Sequence, residues 1–263
     1  MRDFSYKTYE QLLNELKSAK FNFAAVEDFA SGLKDKFIVL RHDVDSWPSN
    51  ALQIAKIEAV HGIKATYYFR VSPLSYKEKI IKQIVDLGHE LGYHYEDLSS
   101  CRGNKEQAIS SFQRNLEKFR KFYPVKTIVM HGKPLSHWNN LDLWKYYDYH
   151  DYGIICEPYL DFDFNQILYL TDVGNCWDGD KYSIRDTVRS TFNFPIHSTY
   201  DLIDHLQKGL LPDQIMLNAH PSRWNDNLCK WIIRYYVLTL PKYLPKKMLK
   251  IYREKRKTAV KET

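Results

Sequence analysis

Residues 40–49 read LRHDVDSWPS, so Arg41, His42, Asp43 and Asp45 arrive together just after the apolar run at 37–40. Such crowding either solvates a loop or holds something, because one of two neighbouring carboxylates can grip a cation while the other takes a proton. Four more residues able to bind metal or move protons, His94, His131, Asp172 and His220, stand at the C-terminal ends of strand-like runs. Each alone has a plainer explanation. A histidine at a strand end most often satisfies a structural hydrogen bond, and an aspartate there usually caps the next helix. For Asp45, shortly before Pro48, capping or turn formation is a direct rival. Five strand ends together argue for one shared polar site.

The elements that must position these residues follow from hydrophobic periodicity. Strand-like runs are expected at 37–41, 65–71, 90–94, 127–130, 154–155, 167–170 and 215–218. Helical spacing covers a first helix capped by Thr8, with Tyr9, Leu12, Leu13 and Leu16 on one face, and a second opened by Pro48 and ended by His61 and Gly62. Further helices are expected at 76–87, 105–122, 141–149 and 200–207. Strands separated by helices imply parallel pairing and a layered or barrel α/β fold. In such folds the C-terminal strand edges share one face, where active sites collect.

Length and composition agree with a globular enzyme-sized unit. The 263 residues form one large domain or a domain with an appendage, and the 20 Tyr and 6 Trp are rings of the kind that line sugar sites. The four cysteines (Cys101, Cys156, Cys176, Cys229) include no C-x-x-C pair, so neither a zinc knuckle nor a disulfide framework is indicated and reduced thiols are expected. With no signal-peptide apolar stretch at the N-terminus and no apolar run of about 18 residues, a cytoplasmic address is expected.

Several local sequences resemble the motifs of the polysaccharide deacetylases, the NodB-homology or carbohydrate esterase family 4 group. RHDVD, GHELGYHYEDL at 88–98, MHGKPLS at 130–136, TDVGNCW at 171–177 and LNAHPSRW at 217–224 occur in that family's order, as an atypical branch with a D-x-D opening motif. The resemblance implies a distorted (β/α) barrel with fewer than eight repeats over residues 1–227, a divalent metal, commonly zinc, and hydrolysis of an N-acyl or O-acyl group on a sugar. Carried over, Asp43 is the general base, Asp45 and His94 are metal ligands, and His220 is the general acid. The family's second histidine, four positions after the first, is replaced here by Leu98, which binds no metal. His131 can supply the missing nitrogen; Glu96 and Asp97 are competing oxygen donors, and a metal-free chain is the remaining alternative.

The chemistry suits these residue types. A divalent cation polarises an acyl oxygen and lowers the pKa of water toward ~7, with one carboxylate binding the ion and its neighbour accepting the proton. The expelled amine needs a proton from His220, oriented by Asp172 or another acid, and the oxyanion needs the metal and a backbone N–H. Trp177, Arg223 and Trp224 are candidate substrate contacts: the tryptophans as a sugar platform or as core, and Arg223, with Arg41 and Lys133, as a partner for a substrate anion or for the site's own acids. His89 reads as a capping or packing residue.

From Lys230 to Thr263 there are 11 Lys/Arg against 2 Asp/Glu, a balance of +9 that leaves the first 229 residues at −3. Residues 228–263 therefore read as a basic amphipathic helical tail, either an anchor at the inner face of a membrane or a segment packed on the barrel. The acidic body argues against nucleic-acid binding. The expected function is a cytoplasmic, metal-dependent deacylase of a glycan or surface-polysaccharide precursor; the alternative is a catalytically silent carbohydrate-binding barrel that has lost its metal.

Overall fold

The computed structural model describes residues 2–30, 32, 35–133, 136–178, 183 and 185–233. The tail expected at 228–263, apart from its first few residues, lies outside them.

The chain opens with α1 (Tyr6–Ser18), β1 (Asn22–Ala24) and α2 (Val26–Ala30), then alternates β2 (Phe37–Val44), α3 (Pro48–Val60), β3 (Thr66–Phe69), α4 (Glu78–Asp86) and β4 (Glu90–Tyr95). After α5 (Asp97–Ser100) and α6 (Lys105–Arg120) come β5 (Ile128–Met130), α7 (Pro158–Asp161), β6 (Leu168–Thr171), α8 (Thr199–Gln207), β7 (Gln214–Ala219) and α9 (Leu228–Ile232). All strand pairs are parallel, in the order β5-β4-β3-β2-β7-β6, and the sheet curls into a half-barrel. β7 occupies one edge of β2 from Phe37 to His42, so β1 and β3 share the other: β1 pairs Phe37–Val39 and β3 takes over from Arg41 to Val44.

Period-two alternation sorts the strand residues between two cores. Ile38, Leu40, Val44, Leu91, Tyr93, Tyr95, Leu168, Leu170, Ile215 and Leu217 pack outward beneath the helices. Phe37, Val39, Tyr68, Val129 and Met216 face the concave interior, which Cys156, Phe162, Phe164 and Ile167 fill from below the site. The interior alternation continues to the C-terminal end as Arg41, Asp43, His94 and Asn218. One sheet face thus changes from apolar to polar along its length, and the polar end is the site.

Several expectations are corrected. β2 runs on to Val44 rather than ending at residue 41, because its polar residues bury as pairs: Arg41 with Asp43, and His42 with Glu58 at 2.7 Å. Ser5, not Thr8, caps α1, its hydroxyl accepting from Thr8 N at 3.1 Å. The helix expected at 141–149 is two 3-10 turns, Asn140–Lys145 and Tyr149–Tyr152, the second closed by Gly153 at φ +70°. The expected strand at 154–155 reduces to a bridge between Thr127 and Cys156.

The glycine in GHELGYH has a packing reason. A Cβ on Gly92 would lie 2.2 Å from the Tyr68 ring, which crosses the sheet interior to reach Thr127 Oγ1 at 2.9 Å. His89 is structural, bridging Ala55 O and Ala65 N at 2.9 and 3.2 Å.

Candidate active site

At the end of β2 the backbone turns sharply: Asp45 N donates to Asp43 O at 3.1 Å, and Trp47 adopts φ +53° before α3 begins. The turn sends the two carboxylates different ways, Asp43 from the strand's interior face and Asp45 from the loop beyond it. α3 has no side-chain cap at its start, so Asp45 is not the capping residue that its sequence position allowed.

Asp45 meets His94 from β4 and His131 just after β5, and donor atoms of the three lie within 4.8 Å of one another. Asp45 Oδ1 is 3.6 Å from His94 Nε2 and 3.5 Å from His131 Nε2. That oxygen is buried and has no hydrogen-bond partner among the described residues. Both rings are anchored through the other nitrogen: His94 Nδ1–H donates to Val129 O at 3.1 Å, and His131 Nδ1–H donates to Glu96 Oε2 at 3.1 Å. Each ring therefore turns its Nε2 toward Asp45.

Burial, reinforced by the neighbouring His131 and Arg41, lowers the pKa of His94 to about 4 against the pull of Asp43 and Asp45, which keeps its nitrogen available near neutrality. For Glu96 burial acts upward but is outweighed by His131 and Arg70, and its pKa falls to about 2. A buried carboxylate oxygen with no hydrogen-bond partner among the described residues, facing two tied imidazoles with the Arg70 guanidinium 3.9 Å away, fits a divalent cation, whose positive charge would satisfy all three donors.

The competing oxygen donors lie elsewhere. Glu96 stands behind His131, its Oε1 bonded to Arg70 Nη2 at 2.7 Å. Asp97 points under α6, accepting from Tyr93 OH and Ser111 Oγ at 2.6 Å each and from Asn115 Nδ2 at 2.9 Å. Leu98 is 4% exposed in the outer core, so its position faces away from the three donors.

Asp43 has a different environment. Arg41 Nε and Nη2 donate to its two oxygens at 2.9 and 2.7 Å, and Asn218 Nδ2 adds a bond at 3.1 Å. Burial raises its pKa, but Arg41 and the nearby His94 overcome this and hold the carboxyl well below the usual range. The anchors are themselves anchored: Tyr159 OH accepts from Arg41 at 3.3 Å and Tyr169 OH from Asn218 at 3.1 Å, and both hydroxyls donate to Asp186.

His220, just beyond β7, is paired with Asp172, just beyond β6. Its Nδ1 lies 2.7 Å from Asp172 Oδ1 and its backbone N donates to Oδ2 at 2.9 Å. Arg223 Nη1 and Trp224 Nε1 also donate to Asp172, at 2.5 and 2.8 Å. Burial pushes the Asp172 pKa up, but Arg223 and His220 more than reverse it. The substrate roles of the two tryptophans are thereby corrected. Trp177 and Trp224 are 2% and 0% exposed, pack against each other and Phe4, and offer no ring to a sugar. Arg223 pairs with the site's own acid, as Arg41 does.

A cleft of about 120 Å³ opens at this end of the sheet, lined by Asp43, Asp45, His94, His131 and His220, with Tyr159, Asp186 and Arg223 in its walls. The strand ends thus bring together all of the metal-binding and proton-moving residues singled out from the sequence. Missed were Arg70, Tyr159, Asp186 and Asn218. Arg70 follows β3 as the other site residues follow their strands, a signal that strand position alone provided; the rest carry no local pattern.

No family model and no curated protein matches this chain. Similar solved structures are carbohydrate esterase family 4 proteins. The Streptococcus mutans CE4 esterase is 17% identical, with 90% of this chain and 91% of that one covered, at a TM-score of 0.44. Peptidoglycan deacetylase PdaC of Bacillus subtilis is 14% identical over 86% of this chain and 98% of its own, at 0.42. A CE4 family pseudoenzyme of Bacillus anthracis, BA3943, is 14% identical at a TM-score of 0.42; the alignment takes in 81% of this chain and only 62% of that one.

Proposed function

We propose that this chain is a metal-dependent deacylase that removes an N- or O-linked acyl group, acetyl above all, from a sugar. The observation that carries the reading is the buried Asp45 oxygen, without a hydrogen-bond partner among the described residues and facing the Nε2 atoms of His94 and His131. Asp45, His94 and His131 would hold the cation, which when bound supplies Lewis acidity toward an acyl oxygen and makes water more acidic. That set supports a metal-bound reading over the metal-free alternative, which rested on Leu98, because His131 offers a third donor.

The other residues divide the proton work. Asp43, held ionised by Arg41, takes the proton of the attacking water; its pairing makes it a weak base, so it suits a water already more acidic than bulk. His220 gives a proton from Nε2 to the departing nitrogen or oxygen as the acyl bond breaks, its ring oriented through Nδ1 by Asp172 and the Arg223 guanidinium. The cleft is far smaller than the roughly 300–1,000 Å³ of pockets that enclose a whole drug-sized ligand. It suits an acyl group and a water, with the sugar ring outside.

The test is acetate release from N-acetylated and O-acetylated amino sugars, both free and as oligosaccharides. Wild-type protein is expected to release acetate, chelation to abolish the activity and zinc to restore it. Asp43→Asn keeps its metal and loses about 100-fold or more in kcat. Release at the wild-type rate by the Asp43→Asn variant, or by chelated protein, overturns the assignment.

A further inference from the structure

Beyond the cleft, one other group of side chains has the composition of a cation site. We propose that Cys176, Asp178 and His197 form a second divalent-cation site, of thiolate character, that ties the turn carrying Asp172 to the segment entering α8. This goes beyond the deacylase reading and stands without it.

Donor atoms of the three residues lie within 4.8 Å of one another. Backbone bonds hold the two segments in place: Trp177 N donates to His197 O at 2.9 Å, Asp178 bridges to Thr171, and His197 N donates to Asp201 Oδ2 at 3.1 Å. His197 Nδ1 is 2.8 Å from Asp178 Oδ1, and the Cys176 thiol lies beside the same carboxylate.

A surface His–Asp pair needs no thiol. Here the sulfur is on a residue only 3% exposed, and its hydrogen bond to Val173 O spans 3.5 Å. A buried cysteine that merely fills space would not need to face an acid. The preceding residue, Asn175, has both side-chain amide atoms enclosed without a hydrogen-bond partner among the described residues, so this turn carries polar capacity that its own contacts leave unused. One sulfur, one imidazole and one carboxylate select a borderline-soft ion such as zinc over magnesium or calcium, with water completing a tetrahedron. The ion's place in the fold gives its role, since Asp172 sits in the same turn as Cys176 and orients His220.

Sulfur makes the site separable from the first, whose donors are nitrogen and oxygen only. The experiment is a titration of chelator-stripped full-length protein with cobalt(II), following the thiolate-to-cobalt charge-transfer absorption. The expected result is a band that saturates within two equivalents of added cobalt, the cleft taking the other, is absent in Cys176→Ser, and in His197→Ala needs at least about tenfold more cobalt. No band in the wild type at saturating cobalt, or a band that survives Cys176→Ser, overturns the proposal. His197 is a solvent-exposed residue whose replacement leaves the core intact, so unchanged affinity in His197→Ala also overturns it. Whether the chain hydrolyses any sugar does not enter this measurement.

Discussion

Asp43 and Asp45 show how neighbouring carboxylates are set to different tasks. Asp43 has three of its about four lone-pair sites taken up by Arg41 and Asn218, leaving one to accept a proton, whereas Asp45 keeps a buried oxygen without a hydrogen-bond partner among the described residues, facing two imidazoles. A third interior carboxylate, Glu90, lies well below the cleft. It accepts from the hydroxyls of Thr66 and Thr127 and from Glu27 N, yet burial wins and raises its pKa to about 7. The folded state therefore holds a proton that the unfolded chain releases near pH 4.5. Stability falls as pH rises from about 4.5 to 7 and levels off above, by on the order of 3 kcal/mol for this group. Glu157, similarly raised to about 7 by burial, acts in the same direction. Glu90→Gln is expected to flatten part of that decline in denaturant unfolding measured at pH 5, 6 and 7. An unchanged slope rules out Glu90 as a source.

At the scale of elements, a curled sheet must bring strand ends together without filling the space that the site needs. Gly92 and Tyr68 share one position on the interior face, where β3 and β4 pair, and the ring occupies the volume that a Cβ would take. Gly92→Ala forces the Tyr68 ring off its bond to Thr127, and an overpacking cost of about 1–3 kcal/mol is expected in equilibrium unfolding. A variant as stable as wild type would mean that the ring moves freely. Most elements were legible because helices and strands have distinct hydrophobic periods, and α1, α3, α6 and β7 lie near their expected places. β1 was missed because three residues with a single buried side chain carry no period. The 3-10 turns were misread as one helix because apolar spacing does not register a break at Tyr146 to Asp148.

At the scale of the molecule, parallel pairing explains why residues from distant parts of the chain meet. Every strand points the same way, so Asp45, Arg70, His94, His131, Asp172 and His220 all emerge at one end. That convergence was visible in the sequence as polar residues following apolar runs. The strand order was not, nor was the division between residues in the cleft and residues behind it: Glu96 reads locally as a ligand, and only the arrangement of β3, β4 and β5 turns it toward Arg70 and His131. The tryptophans misled for the same reason, since a ring beside a motif can face the core as readily as a substrate. Among the described residues no helix is long and apolar enough to cross a membrane.

The central claim is that Asp45, His94 and His131 hold one cation. Its most direct measurement is the zinc content, by elemental analysis, of full-length protein stripped with chelator, reloaded and dialysed, compared with Asp45→Ala, His94→Ala and His131→Ala. The account predicts that each variant retains one equivalent fewer than wild type. Equal zinc in wild type and all three folded variants would contradict it.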